Sequence, residues 1–309
     1  MATDQIITKY SIPVSLLILE KPPINIDWLL SFPHSPTISA LHSRLKLPSS
    51  FSKSLLARTL VDPTSEAAKA YPHNKHLARS GTVIAGYLVS EYLVSRYPRL
   101  PYDVLTAGLQ AFAGVPVLHQ VGREWGVELG KSGEFENYGK LLFQRAEIGA
   151  VDPKKGEKFA DRAMADMVRS VIGGVYISEG FTASKVFVHN HLLSRTLQMS
   201  SLFKFNEPSR ELSRLCTREN LDRPIFRSIS ETGRVSRSPV FVIGVYLGDE
   251  MVGQGQASSV DEAKFRAAAN ALKAWYLYEN KPFQLPSLTL ESPDAAFVPN
   301  YIDAGEVIV

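Results

Sequence analysis

Residues 250–259, Glu250-Met-Val-Gly-Gln-Gly-Gln-Ala-Ser-Ser259, decide the fold of the C-terminal part of the chain. The stretch predicts a strand from Met251 to Ala257 that leads almost directly into a helix. Ser259 and Glu262 have the spacing of a capping box, so the helix is expected to begin at Ser259 and to run to about Tyr278. Its expected inward face is alanine-rich and consists of Ala263, Ala267, Ala271, Leu272 and Trp275.

The residues before this stretch complete a small module. A helix is predicted from Glu207 to Asn220, a strand from Pro224 to Ser230 and a second strand from Val240 to Leu247. Together with the elements that follow, the predicted order is α-β-β-β-α.

Farther upstream, residues 46–205 have apolar clusters at helical spacing and predict an all-helical domain. Its most apolar helix, from about Val83 to Tyr97, is apolar on more than one face and is expected to be buried on several sides or at a subunit interface. A second strong helix is expected from near Glu157 to Gly180. The predicted fold class is mainly α, with a C-terminal α+β module.

Both ends of the chain are rich in proline. We expect residues 1–45 to form an extended arm and residues 281–309 to form a tail without helix or strand. The expected organisation is therefore an arm (1–45), a helical domain (46–205), an α-β-β-β-α module (206–280) and a tail (281–309).

The composition is that of a folded protein with a weak basic excess. Of 309 residues, 45% are hydrophobic, and 34 basic against 31 acidic residues give a net charge of +3. Any RNA-binding surface must therefore arise from local clustering of cations. A single cysteine, Cys216, excludes an internal disulfide and a cysteine-rich zinc site. We also expect no membrane-spanning helix, since no uninterrupted apolar stretch approaches the roughly 20 residues required.

The C-terminal module resembles a double-stranded-RNA-binding domain, on the evidence of the α-β-β-β-α order and the Gly-x-Gly texture of residues 250–259. Two upstream segments resemble the ribonuclease III nuclease domain. The first comprises Asn74-Lys-His-Leu-Ala-Arg-Ser-Gly-Thr-Val-Ile84 and the following Ser90-Glu-Tyr-Leu-Val-Ser-Arg-Tyr-Pro98. The second is Ala165-Asp-Met-Val-Arg-Ser-Val-Ile-Gly-Gly-Val-Tyr176, which is the more specific of the two.

In that family, paired carboxylates on two helices converge on Mg²⁺, a hard cation that prefers oxygen ligands. The resemblance puts Ala78 and Thr82 at the first pair of positions, and Asp166 and Arg169 at the second pair. An additional acidic position becomes Lys75. Only Asp166 keeps a carboxylate.

Arg169 makes metal binding unfavourable. A positive charge about 5 Å from a divalent ion costs on the order of several kcal/mol even at an effective dielectric near 20. We expect Asp166 to pair with Arg169 at i, i+3 spacing instead. The site is therefore predicted to be catalytically inactive, with no metal and no other cofactor.

The RNA-binding module also departs from its family. The last helix normally opens with lysines that clamp phosphates, but here it opens with Val260, Asp261 and Glu262. Residues 224–278 carry six Lys or Arg against five Asp or Glu, which is poor for generic duplex binding. The module is expected to be a selective RNA-docking module or partly a protein-binding platform. Its candidate RNA-binding residues are Arg234, Arg237, Lys264 and Arg266.

The whole pattern most resembles the ribonuclease III-like proteins of the mitochondrial ribosome's large subunit. This resemblance implies mitochondrial localisation, contacts to ribosomal RNA and to other ribosomal proteins, and a second ribonuclease III-like chain as a possible dimer partner. Residues 1–30 contain no arginine and three acidic residues, unlike a mitochondrial presequence, so one is either already removed or absent.

Two alternatives stay open. One is an active endoribonuclease that uses other carboxylates, such as Glu91, Glu147 or Asp161. The other is a ribosome assembly or RNA-processing factor that binds RNA transiently.

Overall fold

Helices form the larger part of the molecule, and a three-stranded sheet covered by two helices follows them. The structure is a computed structural model that describes residues 35–65, 68, 72–130, 141–142, 153–279, 281–292 and 297–299. The predicted fold class, mainly α with a C-terminal α+β module, is confirmed. The four boundaries expected from the sequence stay predictions.

Helix α1 (Pro36–Arg44) corrects the expectation of an extended arm over residues 1–45. Pro36 lies in the first turn, where a helix needs no backbone N–H donor, so this proline starts a helix and does not prevent one. Ile38, Leu41 and Leu45 are buried in the core of the helical domain. The rest of the expected arm, residues 1–34, lies outside the described residues.

Helix α3 (Lys75–Arg96) follows the short helix α2 (Lys53–Thr59) and begins well before the apolar run that predicted it. Leu88, Val89 and Leu93 are almost completely buried. Val83 and Tyr87 remain 60% and 49% exposed, so the helix is not buried on several sides within a single chain. The helix ends at Arg96, one residue before the predicted end at Tyr97.

Residues 102–124 are on average apolar enough, and together long enough, to cross a membrane by length and composition, although polar residues such as Asp103, Gln110 and His119 interrupt the stretch. The segment is nevertheless two helices, α4 (Tyr102–Ala113) and α5 (Val115–Glu124). Gly114 between them has extended backbone angles. Helices of 12 and 10 residues are too short to cross a bilayer.

Helix α6 (Pro153–Val188) is the longest element and packs against α3 and α5. Gly180 has a positive φ of 84° and interrupts its helical geometry, but a helical segment resumes after it. The expected end at Gly180 is therefore a kink. A π-helical turn (His189–Leu193) and a 3-10 turn (Met199–Ser201) follow, and a two-residue parallel pair, β1 (Leu129–Gly130) and β2 (Leu141–Leu142), precedes α6.

The C-terminal module begins with α7 (Pro208–Arg218) and continues with an antiparallel sheet. Its strands are β3 (Pro224–Thr232), β4 (Val240–Leu247) and β5 (Glu250–Ala257), with β4 in the centre. Helix α8 (Val260–Tyr276) packs on β4, β5 and α7. The serine half of the predicted capping box is present, since Ser259 Oγ accepts a hydrogen bond from Glu262 N at 3.3 Å.

The close packing of α8 on β5 accounts for the two glycines of the Gly-x-Gly pattern. A Cβ atom on Gly253 would lie 2.6 Å from the Ala267 carbonyl oxygen, and one on Gly255 would lie 2.3 Å from Ala267 N. Helix α8 therefore lies with its backbone directly on the strand, and the buried alanines Ala263, Ala267 and Ala271 permit that approach.

The residues after α8 return to the helical domain. Glu279 accepts hydrogen bonds from Arg96 Nη2 at 2.9 Å and from the Tyr97 hydroxyl at 3.0 Å. A 3-10 turn (Pro286–Leu290) follows, and Ser287 N donates to Glu91 Oε1 at 2.6 Å. The expectation of a tail without helix is thus wrong for this turn, because a buried carboxylate fixes its backbone.

Candidate functional site

The crossing of α3 and α6 brings together the residues that the family resemblance puts at metal-ligand positions. A Cβ atom on Gly81 would lie 1.8 Å from the Arg169 carbonyl oxygen, and one on Gly173 would lie 2.1 Å from the Leu77 carbonyl oxygen. The two helix backbones therefore touch here, which only glycine allows. This contact brings the segment around Ala78 next to the segment around Arg169.

The α3 side of this crossing has no carboxylate at the candidate positions. Ala78 is buried, and Thr82 is exposed with its hydroxyl donating to the Ala78 carbonyl at 2.7 Å. This bond occupies the threonine proton within its own helix. Lys75 is exposed on the first turn. None of the three side chains offers an anionic oxygen to a cation.

On the α6 side, the predicted ion pair between Asp166 and Arg169 is present. Arg169 Nη1 donates to Asp166 Oδ1 at 2.9 Å. Arg169 Nη2 also donates to the carbonyl oxygen of Ala113, the last residue of α4, at 3.3 Å. The Arg169 side chain is only 17% exposed. The guanidinium thus joins α6 to the carboxyl end of α4, where a cation also interacts favourably with the helix dipole.

The two alternative catalytic carboxylates that the structure describes, Glu91 and Asp161, have other partners. Glu91 is 8% exposed and is covered by the turn at Ser287. Asp161 Oδ1 lies 3.4 Å from His119 Nδ1. Glu147 lies outside the described residues. Within the part of the chain that the structure describes, no group of three or more His, Cys, Asp or Glu side chains could hold a metal ion.

The two histidines that follow α6, His189 and His191, lie in the π-helical turn. Burial lowers the pKa of both His189 and His191. His189 packs edge-on against Tyr92, and His191 packs against Phe187 and Trp125. Both imidazoles are thus neutral packing groups near pH 7.

Three of the four candidate RNA-binding residues make ion pairs inside the module. Arg234 Nε lies 3.2 Å from Glu231, and Lys264 Nζ lies 3.9 Å from Asp261. Arg266 pairs with Glu262 and also donates to the Gln256 carbonyl oxygen at 2.8 Å. Arg237 is exposed in the loop between β3 and β4. The acidic residues at the start of α8 therefore neutralise the nearby cations.

The sequence analysis missed the cations of α7, because the charge count began at residue 224. Exposed or half-exposed Arg210, Ser213, Arg214 and Thr217 recur at helical spacing along one face of this helix, opposite the buried Leu212 and Leu215. The spacing of Arg210 and Arg214 at i, i+4 was the available signal. It adds two guanidinium groups to the polar surface of the module.

Comparison with known proteins agrees with both halves of the fold. The family described as Double-stranded RNA binding motif matches residues 208–274. Large ribosomal subunit protein mL44 of Neurospora crassa is 35% identical, and the alignment covers 89% of this chain and 81% of that protein. Ribonuclease 3 of Protochlamydia amoebophila is 26% identical over 67% of this chain and 79% of its own length. The nuclease domain of ribonuclease III from Campylobacter jejuni has 16% identity over 50% of this chain, with a TM-score of 0.36.

The fold and the matches together define a ribonuclease III-like protein with a C-terminal double-stranded-RNA-binding module. Within that class, the extent and identity of the match to the Neurospora crassa protein are decisive. The chain belongs to the family of Large ribosomal subunit protein mL44.

Proposed function

We propose that this protein is a structural, RNA-binding constituent of the large subunit of the mitochondrial ribosome and that its ribonuclease III-like domain has no catalytic activity. The observation that carries the proposal is the Arg169 guanidinium, which occupies a metal-ligand position of the nuclease family and bonds to Asp166 and to the Ala113 carbonyl. The match to a ribosomal protein over most of the chain supports the assignment to the ribosome. Mitochondrial localisation follows from the same relationship.

The absence of catalysis follows from charge. Two-metal and one-metal phosphodiester cleavage needs several carboxylate oxygens to hold Mg²⁺. Here Ala78 and Thr82 supply none, and the Asp166 carboxylate is engaged by a cation. A divalent ion would have to displace Arg169 from both of its partners and then remain beside its positive charge.

A cleavage assay on duplex RNA with Mg²⁺ tests this part of the proposal. We expect no turnover and no Mg²⁺-dependent rise in the melting temperature. The triple variant Ala78→Glu, Thr82→Asp and Arg169→Glu should gain Mg²⁺-dependent stabilisation, whereas Arg169→Glu alone should not. Turnover by the unmodified protein that Asp166→Ala abolishes would overturn the assignment.

The RNA contacts are proposed to come from the loop between β3 and β4 and from α7, with Lys264 and Arg266 adding weaker contacts from α8. Arg234 and Arg237 provide the contacts from the loop, and Arg210 and Arg214 provide those from the helix. Because acidic partners neutralise several of these cations, binding should be selective and its salt dependence shallow.

Salt titration of RNA binding tests these contacts. Replacing Arg234 and Arg237 together with glutamine should reduce the slope of log K against log salt by about 2, since each phosphate contact contributes roughly 1. Lys273→Gln, which removes a module cation outside the candidate set, is the control. An unchanged slope in the double variant would exclude the loop from the RNA interface.

Sedimentation distinguishes a resident ribosomal protein from an assembly or processing factor. We expect the native protein to remain with the large subunit through a high-salt wash. Release at moderate salt, or comigration only with precursor particles, would favour the transient factor.

We further propose that the exposed apolar face of α3 and α6 packs against a second ribonuclease III-like chain. Val83, Tyr87 and Ile177 are 60%, 49% and 61% exposed, and Tyr87 contacts Phe181 across the two helices. Contiguous exposed apolar groups of this kind mark interaction sites. Tyr87→Asp should abolish the formation of a homodimer or heterodimer, as measured by sedimentation velocity. Unchanged association would exclude this face as the dimer interface.

A further inference from the structure

A cavity of about 460 Å³ lies beside the last turns of α8, between that helix, the second half of α7 and the turn that joins β4 to β5. The candidate RNA-binding residues of α8, Lys264 and Arg266, lie in its first turns instead. Along the helix, the lining residues Ala271 and Trp275 follow Arg266 by five and nine positions, which correspond to about 7.5 and 13.5 Å of helix rise. We call it the α7–α8 pit.

The walls of the α7–α8 pit are apolar. Leu215 and Cys216 of α7 are each 2% exposed, and Leu247, Val252 and the Trp275 ring complete the lining. Burial raises the pKa of the Cys216 thiol, so this group stays protonated and behaves as a small apolar surface. The volume falls within the range of specific ligand pockets and exceeds that of one large side chain.

The rim of the pit is acidic. Asp222 and Glu250 line it, and Asp249 lies next to Glu250 in the turn. A Cβ atom on Gly248 would lie 2.8 Å from Asp222 Oδ2, so the Asp222 carboxylate sits directly against this turn. None of the three carboxylates makes an ion pair with another described residue.

Arg99 is the cation among the residues that line the pit, and it is already engaged, while the exposed Arg223 lies next to Asp222. The Arg99 guanidinium carbon lies 3.9 Å from the centre of the Trp275 ring and 4.9 Å from that of Tyr278. Arg99 thus forms part of the wall, stacked on two aromatic faces. An apolar pit with unpaired carboxylates at its mouth fits a ligand that is apolar at its centre and positively charged around it.

We propose that the α7–α8 pit binds a segment of a partner protein in which one large apolar side chain is flanked by lysine or arginine. The apolar anchor enters the pit and packs on its apolar wall, and the flanking cations pair with Asp222, Asp249 and Glu250. Buried anchors surrounded by complementary charge are the usual source of affinity and specificity in such contacts. The inference goes beyond the proposed function, because it assigns the module a protein-binding surface separate from its RNA contacts.

Two other occupants fit less well. Phosphate groups of RNA would be repelled by the three carboxylates. The end of this chain, residues 300–309, carries Asp303 and Glu306 and no lysine or arginine, so its charge also opposes the rim. A described part of the tail, the turn at Ser287, packs on Glu91 of α3.

NMR titration of the full chain with the peptide Lys-Lys-Phe-Lys-Lys tests the proposal. We expect the indole N–H signal of Trp275, assigned with a Trp275→Phe variant, to shift saturably while the signals of Trp28 and Trp125 do not. Lys-Lys-Ser-Lys-Lys should bind at least about tenfold more weakly, because it lacks the apolar anchor. Glu-Glu-Phe-Glu-Glu should not bind.

Two variants make the test specific. Ala274→Phe, at an exposed position on the wall, should block the pit and abolish peptide binding without changing the affinity for duplex RNA. Asp222→Asn with Glu250→Gln should weaken binding about three- to tenfold at low salt, and Asp261→Asn at the other end of α8 is the matched control. If Ala274→Phe does not fold, the peptide affinity of the double variant Asp222→Asn with Glu250→Gln decides whether the proposal holds.

Several outcomes would overturn the proposal. Equal affinity for the phenylalanine and serine peptides would mean that the pit takes no anchor. A Trp275 shift with a 16-base-pair RNA duplex would make the pit an RNA site, and a shift that depends on protein concentration alone would make it a contact between copies. If the unmodified protein binds the peptide but shows no RNA binding at any salt concentration, the result contradicts the proposed function. The inference about the pit is then unaffected.

Discussion

At the scale of single residues, Arg169 has a structural role at a position that binds a metal ion in the nuclease family. In the nuclease family the position serves a metal ion, whereas here it joins α6 to the last carbonyl of α4 through Ala113 and pairs with Asp166. The i, i+3 spacing was enough to predict the ion pair. The bond to Ala113 could not be predicted, because it joins residues 56 positions apart that only the packing of α4 on the rest of the domain brings together.

Replacing Arg169 with alanine should destabilise the protein by about 1–3 kcal/mol, because the substitution leaves Asp166 without its cation and Ala113 without a donor. Urea unfolding measures the effect. Arg162→Ala, at an exposed position of the same helix, should change stability by less than about 0.5 kcal/mol. Equal effects at the two positions would mean that Arg169 is only a solvated charge.

Glu279 is a single residue that should make the stability of the folded protein depend on pH. Hydrogen bonds from Lys281, Tyr97 and Arg96 lower its pKa to about 2. Because the folded pKa is depressed, its stabilising contribution is complete above the ordinary pKa of a glutamate and is lost as the pH falls from about 5 to about 2. Glu279→Gln should therefore narrow the difference between the melting temperatures at pH 6 and pH 3. An unchanged difference would contradict this.

At the scale of elements, the contact between α3 and α6 depends on two glycines. Helical periodicity predicted both helices, but it gives no information on which residues of two helices touch. Gly81 belongs to the first segment that resembles the nuclease domain, and the structure gives a physical reason for a glycine there, since the Arg169 backbone lies against it.

Gly81→Ala should destabilise the protein by about 3 kcal/mol or more, because the added methyl group would lie 1.8 Å from a carbonyl oxygen and force the helices apart. Gly86→Ala is a matched control in the same helix. No atom lies within 4 Å of a Cβ at position 86, so the substitution should raise stability by about 0.5–1 kcal/mol. Thermal unfolding measures the melting temperatures of the two variants. Similar shifts for Gly81→Ala and Gly86→Ala would refute the close contact between α3 and α6.

The elements of the C-terminal module were predictable within a few residues, because alternating burial and turn residues determine strands locally. Helix α1 and the kink at Gly180 were not. The prolines around Pro36 favoured an extended chain, and burial of Ile38 and Leu41 against the rest of the domain outweighed that preference. A glycine with positive φ usually ends a helix, but here the packing of Phe187 and Val188 keeps the chain helical beyond it.

At the scale of the whole molecule, the two domains share an interface that the sequence did not indicate. Arg96 and Tyr97 bond to Glu279, Arg99 stacks on Trp275, and Phe203 stacks on Tyr276. These contacts join the end of α3 to the end of α8. An RNA bound to the module is therefore held at a defined orientation to the helical domain.

The interface should make the protein unfold in one cooperative transition. Arg96→Ala combined with Arg99→Ala removes the ion pair and the aromatic stacking, and calorimetry should then resolve two transitions. Arg195→Ala, which breaks an ion pair to Glu124 inside the helical domain, should leave a single transition. Two transitions in the unmodified protein would show that the interface does not couple the domains.

The turn over Glu91 also determines the order in which the molecule can be completed during synthesis. Ser287 follows Glu91 by 196 positions, and Glu279 follows Arg96 by 183. A nascent chain that has delivered every helix of the first domain still lacks the Ser287 N–H that bonds to Glu91, and this contact forms only after the C-terminal module has been translated. A segment translated after the whole C-terminal module thus completes a domain that was made before it.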